Sequence, residues 1–308
     1  MSSAAESGAA GRISRNPVRG FLLRLRDVRL GPLSAFAGPG LLWMFFLVVI
    51  PYCAILLFSV YQTDTVNLIP AFDLANFKRV FTDEVVRTVF IRTLLIALAV
   101  TACTFVLSLP LAYYAAFYVR RKYIFVFLIV IPMWVSYIVR LYSWRLMLGE
   151  DGIVNKALTG IQLIDEPLSF LLFSPWAVII TLTYVYFPFM FISLFSVMDG
   201  LDRSLLRAAS DLYASPVRRF VRVTLPTIKP GIAAGMMLVF PLAFGDYIAP
   251  SLVGGTDGQM FGNLIQNQFG TTFNYPFGAA MAFVLLVVVL GAVALLERWR
   301  NSNEVKVF

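Results

Sequence analysis

Residues 93–119 read TLLIALAVTACTFVLSLPLAYYAAFYV, 27 positions without a charge between Arg92 and Arg120. An α-helix rising 1.5 Å per residue crosses the hydrocarbon of a bilayer in about 20 residues. This run is long enough to cross with residues to spare. Three further uncharged runs, 30–63, 167–198 and 258–296, pass the same test. Two more apolar stretches are interrupted by charge: 123–139 ends at Arg140, and 230–253 contains Asp246. All six are taken as spans, which gives an all-α integral membrane bundle of six transmembrane helices. Helices are required because lipid offers no partner for backbone N–H and C=O groups, and the ten-residue alternation of a barrel is missing.

Composition agrees with this. Hydrophobic residues make up 59% of the 308 and charged residues only 14%, where a soluble domain has roughly half and a quarter. There is no histidine, and the two cysteines, Cys53 and Cys103, fall inside expected spans. Histidine-based catalysis, the usual metal sites and a disulfide framework are thereby removed, so no catalytic or metal residue is expected.

The net charge of +8 matters through its placement along the chain rather than its sum, and nucleic acid is not an expected partner. Six arginines, Arg12 to Arg29, precede an apolar run too long for a signal-peptide core, which reads as a retained signal anchor with a basic tail. With that tail in the cytoplasm, the tail, 120–122, 199–229 and the end from Glu297 hold 18 of the 25 lysines and arginines. The opposite segments, 62–87, 148–174 and 254–276, hold four, so the positive-inside rule puts both termini in the cytoplasm. The outer segments also carry nine acids, among them Glu150 and Asp151. They favour a cationic ligand or a basic docking partner, or they collect there only because basic residues are held inside. Residues 12–29 alternate arginine with apolar residues, as a surface-lying amphipathic helix or as an unstructured polybasic tail.

The expected organisation is a basic segment over 1–33, a six-span transmembrane domain over 34–300 and a tail over 301–308. Spans are placed at about 34–61, 88–119, 123–147, 175–198, 230–253 and 277–298, with a cytoplasmic loop at 199–229. Prolines at 51, 110, 132, 188, 241 and 250 lie within or at the ends of spans, where each frees a carbonyl and kinks the helix. No inverted repeat is visible.

The loop 199–229 is too long for a mere connection. Asp202 can cap a helix in which Leu205, Ala208, Ala209 and Leu212 share a face, and Ser215-Pro216 reads as a second cap with proline at the first helical position. Val217, Phe220, Val221 and Leu225 form the second apolar face, and Pro226 is expected to end the element. Two such helices need either a soluble partner or the lipid surface to cover them.

The run Arg207-Ala208-Ala209-Ser210-Asp211-Leu212-Tyr213-Ala214-Ser215, followed by Phe220, Val223, Thr224, Leu225 and Pro226, resembles the cytoplasmic EAA loop of bacterial ABC importer permeases. Two positions depart from that pattern: Arg207 stands where the family usually has glutamate, and Tyr213 where it usually has glycine. Ser136 to Trp144, Leu148 to Asn155 and Asp165 to Leu168, then Phe244 to Pro250, Gly254-Gly255 and Tyr275 to Ala280, are similar to spermidine/putrescine-type permeases. The resemblance covers residues 40–300. It implies a type I importer (MetI-like) permease fold in a bacterial inner membrane. It also implies a second permease subunit in a heterodimer, two copies of an ABC ATPase, and an external substrate-binding protein. The chain has no Gly-x-x-x-x-Gly-Lys-Ser/Thr loop, so ATP and Mg are expected on the ATPase and no cofactor on this non-enzymatic subunit.

On this resemblance, residues 207–214 with Phe220 are expected to make the ATPase contact, and ATP-driven alternating access to carry a polyamine or another small cation inward. Asp246 is the one acid inside an expected span, and an unpaired carboxylate there is costly. It either faces a watery cavity and attracts a cation, or pairs with Arg140 or Arg145. Tyr184, Tyr186, Tyr247, Trp134 and Trp144 could hold amines along the path by cation–π contact, or simply pack. The rival reading is an ion-coupled secondary transporter using Asp246.

Overall fold

The computed structural model describes residues 32–64, 67–70, 72–168 and 171–301. The amphipathic helix expected over 12–29 and the residues from 302 onward lie outside them. The chain divides into two compact units, one ending at Ala54 and one beginning at Ile55. The division falls inside helix α1 (Pro32–Ser59), an apolar helix with Pro39 and Pro51 within it. The functional residues all belong to the second unit, which is described from here on.

A two-stranded antiparallel hairpin follows α1, with β1 (Gln62–Asp64) paired to β2 (Asn67–Ile69) in the register Gln62↔Ile69. It is the only strand pairing among the described residues. The side-chain amide of Asn76, on α2 (Ala75–Thr82), ties the chain before it by donating to the carbonyls of Ser59 (3.0 Å) and Tyr61 (2.8 Å). Asp83 then caps α3 (Glu84–Phe117), accepting from the amides of Val85 and Val86.

Helices α3, α7 (Pro175–Asp199) and α11 (Lys229–Phe244) form the centre. Ala97, Val100, Leu182, Phe191, Leu194, Val239 and Phe244 are completely buried between them. The faces turned away carry Leu95, Val106 and Leu146 at 62–75% exposure, which a bilayer solvates and water would not. Some buried hydroxyls are satisfied within their own helix, as where Thr101 donates to the carbonyl of Ala97 at 2.7 Å, while those of Thr181 and Thr183 have no hydrogen-bond partner among the described residues. Two glycines four residues apart set how closely α11 meets α7. A Cβ on Gly231 would lie 2.9 Å from the Ser193 carbonyl oxygen, and one on Gly235 would lie 2.4 Å from the Met190 sulfur. Small residues at this spacing let two membrane helices approach backbone to backbone.

Four helices are long and apolar enough to cross a membrane, and the number is six when two bent pairs are each taken as one crossing. The straight ones are Gly38–Ser59, Glu84–Phe117, Pro175–Asp199 and α13 (Tyr275–Asn301). The bent pairs fall in the third and fifth expected spans, the two that charge interrupts. In the third span, α4 (Lys122–Val130) runs into a 3-10 turn at Ile131–Trp134, and α5 (Tyr137–Leu148) then leaves at 90°. Val135 is extended between them, and Pro132, which has no N–H to reach the carbonyl four residues before it, lies where the α-helix gives way to the 3-10 turn. In the fifth, α11 stops at Phe244 and a wide helical turn occupies Pro250–Gly254. Beyond the spans, α6 (Ile153–Gly160) and α12 (Phe261–Gly270) were not foreseen. The amide of Phe261 donates to the Thr93 hydroxyl at 2.7 Å, which fastens α12 to α3.

Candidate functional site

The loop between α7 and α11 folds as its caps dictate. Asp202 accepts from the amide (2.8 Å) and the hydroxyl (2.6 Å) of Ser204 and so opens α8 (Arg203–Asp211). These hydrogen bonds, from the Ser204 hydroxyl first and then from its amide, hold the Asp202 carboxyl below its ordinary value. Ser215 accepts from the Arg218 amide, and Pro216 opens α9 (Pro216–Arg219).

Between them the chain turns through Tyr213. The amide of Tyr213 donates to the Ser210 carbonyl (2.9 Å) and that of Ala214 to the Ala209 carbonyl (3.1 Å). This is a Schellman closure, and it needs a left-handed residue at Tyr213. Tyr213 takes that conformation, with φ of 54°. For a residue with a Cβ the left-handed region costs about 1 kcal/mol or more.

The resulting corner is held rigidly and left bare. Arg203 donates to the Ala116 carbonyl at 3.2 Å, the Arg219 guanidinium to the Ser210 hydroxyl, and the Phe220 ring stands edge-on to Tyr113 with centroids 5.7 Å apart. Lys122 and Asp199 form an ion pair beside them. Yet Leu212 is 81% exposed, Tyr213 96% and Val217 73%, with Leu205, Arg207, Ala208 and Ser210 also exposed. The predicted shared face of Leu205, Ala208 and Leu212 thus has no cover from the described residues. Pro226, expected to end the second element, does not. The helix passes through a wide turn at Phe220–Thr224 and α10 (Leu225–Thr227), bends by 62°, and continues as α11.

The second cluster sits where the two broken spans meet. Asp246, 7% exposed, accepts from the Tyr137 hydroxyl, from the Tyr186 hydroxyl at 2.7 Å, and from the amides of Ile248 (2.9 Å) and Ala249 (3.0 Å). Its carboxylate caps the helical turn after the break. Pro250, later in the same turn, has no N–H that would need a partner. Asn263 closes the back of the break, donating to the Tyr247 carbonyl (2.8 Å) and the Ser251 hydroxyl (2.6 Å).

The pairing of Asp246 with Arg140 or Arg145 is corrected by this arrangement. Arg140 lies over the Tyr137 ring at 5.9 Å and Arg145 over the Phe173 ring at 5.6 Å, and neither is ion-paired among the described residues. The Nε of Arg140 is buried without a hydrogen-bond partner there. The remaining aromatics do not form one path. Trp144 and Tyr184 pack together, centroids 5.4 Å apart, in an apolar groove of about 460 Å³ with Cys103 and Phe187. Tyr247 borders a different cavity with Gln266 and Phe269, and Trp134, 81% exposed, touches Phe127. Tyr137 was missed as a site residue; it stands on the first turn of α5, directly after the break. At the far ends of these spans, Glu150 and Asp151 share an open cavity of about 620 Å³ with Arg145 and Phe173.

Comparison with known proteins bears on both clusters. A family model described as binding-protein-dependent transport system inner membrane component matches residues 32–301. The chain is 34% identical over 263 residues to the spermidine/putrescine transport system permease protein PotB of Escherichia coli (strain K12), covering 85% of this chain and 94% of that protein. Its backbone is similar to a bacterial ABC transporter involved in the import of the acidic polysaccharide alginate, with a TM-score of 0.74 at 17% identity over 92% of this chain and 99% of that one. A bacterial alginate ABC transporter in complex with alginate pentasaccharide-bound periplasmic protein gives 0.70 at 18% identity, over 89% and 95%. At such identities the likeness to the two structures is one of fold.

Proposed function

The chain belongs to the family of binding-protein-dependent transport system inner membrane components, and from that premise we propose that it forms half of an import path for a small cation of the polyamine class. It is a permease subunit of an ABC importer, whose motor and receptor are separate chains. The single observation that carries the coupling role is the bare corner at Leu212–Tyr213, rigidly fastened to α3 and continuous through one bend with α11. A solvent-facing apolar corner on a membrane protein is a surface awaiting a partner.

In this reading residues 207–214 meet an ABC ATPase, of which the complex holds two, and Phe220 anchors them. ATP and Mg sit on that ATPase; this chain binds no cofactor and performs no chemistry. A second, different permease subunit completes the path, and both termini lie in the cytoplasm, where the basic residues gather. The open cavity at Glu150 and Asp151 faces outward to the binding protein. The polyamine class rests on PotB and on the acidic outer segments. Asp246 acts as a cap for the broken span rather than as a cation site, because both of its oxygens already accept from protein donors.

The test is a cysteine placed at Ala209 or Ser210 and crosslinked to the ATPase subunit co-expressed with the full chain. A crosslink that changes with nucleotide state supports coupling at this corner. No crosslink in any nucleotide state rejects it.

A further inference from the structure

The corner of α8 and α9 states what its partner must look like, and this inference rests on the coupling role given above. Tyr213 is held in the left-handed region with φ of 54° while 96% of its surface faces solvent. In the chain alone nothing is gained by that: the ring packs on no neighbour that would offset the strain, and a glycine would close the same turn. Strain kept at an exposed position is characteristic of a surface completed by binding. Around the ring, Leu212 and Val217 are 81% and 73% exposed, which makes an apolar knob.

Charge surrounds the knob unevenly. Arg207, Arg218 and Arg222 are exposed, while Arg203 and Arg219 are engaged with Ala116 and Ser210. On the acidic side Asp211 is exposed and Asp202 is taken up by Ser204. Three arginines without a hydrogen bond or ion pair among the described residues therefore flank one free carboxylate.

We propose that the partner ATPase receives Tyr213 in an apolar socket with an acidic rim, and that Tyr213 and Arg207 set which ATPase this permease accepts. A buried aromatic anchor beside a desolvated arginine is the composition that dominates protein interfaces. Charges of opposite sign across the rim exclude wrong partners. A protein socket fits better than the bilayer surface. The corner is a rigid, sharply turned projection, pre-organised for a shaped cavity. A fluid headgroup layer offers no fixed shape.

The experiment uses the full chain in phosphatidylcholine nanodiscs, with and without phosphatidylglycerol, and measures affinity for the purified ATPase subunit of the same transporter. Tyr213→Ala and Arg207→Glu are each expected to weaken binding about tenfold or more, with Tyr213→Phe and Arg207→Lys close to wild type. Replacing an acidic rim residue of the ATPase with lysine should restore binding to the Arg207→Glu chain. Both sites are exposed, and folding is checked by the melting temperature of each of the four variants. Failure of the wild-type chain to bind the ATPase at all would reject the coupling role itself. Normal wild-type binding left unchanged by both substitutions would overturn only the socket. Hydrogen-exchange protection of residues 205–217 by phosphatidylglycerol without ATPase would give the corner to the membrane and overturn it as well.

Discussion

The hydroxyl of Tyr137, at the first turn of α5, meets the carboxylate of Asp246, at the break after α11. Two interrupted membrane spans are thus joined at their interruptions, and Tyr186 from the unbroken α7 joins the same oxygen at 2.7 Å. Removing the carboxylate would strand the Tyr137 hydroxyl and two amides at once, and leave the Tyr186 hydroxyl only its 3.3 Å bond to the Leu242 carbonyl.

Asp246→Ala is accordingly expected to lower the stability of the detergent-extracted chain by about 3 kcal/mol or more. Asp246→Asn should remain folded, since an amide oxygen can still cap Ile248 and Ala249 while the tyrosine hydroxyls turn to accept. Thermal unfolding followed by size-exclusion chromatography compares the two. Equal losses for both variants would refute the capping role, and a loss of uptake with Asp246→Asn at full stability would return Asp246 to the cation path.

Tyr213→Gly should raise stability by about 1 kcal/mol, because glycine enters the left-handed region without the Cβ clash. The melting temperature in detergent reports it. A fall in that temperature would mean the tyrosine ring packs favourably on this chain after all.

Asp202 predicts a pH dependence confined to α8. Its carboxyl is held below the ordinary 3.8 by the bonds from Ser204. The cap's contribution is therefore complete above that value and disappears as pH falls through the lower, folded-state value. Amide exchange at Ser204 and Leu205 should quicken in that acid window in the wild type and be fast throughout in Asp202→Ala. Protection that persists at the lowest pH would contradict the cap.

The glycine pair on α11 separates two kinds of crowding. Gly235→Ala brings a Cβ to 2.4 Å from the Met190 sulfur, the movable end of a flexible side chain. Gly231→Ala meets the Ser193 carbonyl oxygen at 2.9 Å together with Val197 at 3.0–3.1 Å. The second substitution should destabilise more, by about 1–3 kcal/mol, despite the longer nearest distance. Melting curves of the two single variants decide the order.

Much of this architecture is legible in the sequence because charge is so rarely found in lipid. The helices through 93–119, 175–198 and 277–298 follow from runs without a charge, and the loop helices from Asp202 and Ser215-Pro216. The breaks at Val135–Ser136 and Gly245–Tyr247 are different in kind. A stretch of backbone can leave the helix inside a membrane only where its amides find other acceptors; Asp246 supplies one from within the break while Tyr137 answers from another span. No local pattern reports such a pairing. Pro226 misled for a related reason: proline near the start of a helical segment is tolerated, so the chain bends there instead of ending. The aromatic set scattered because type alone does not say which way a ring faces, which left Trp134 outside and Tyr186 within.

The 62° angle between Pro216–Thr227 and Lys229–Phe244 gives the fifth crossing a crank. At 1.5 Å per residue its two limbs measure about 18 Å and about 24 Å. If the elbow keeps its angle, any swing imposed at the shorter limb's tip is delivered at the other end enlarged by about a third. The far end of the longer limb is where Gly245 and Asp246 lie, so a shove of a few ångströms at one surface arrives, slightly geared up, at the seam holding the two interrupted crossings together.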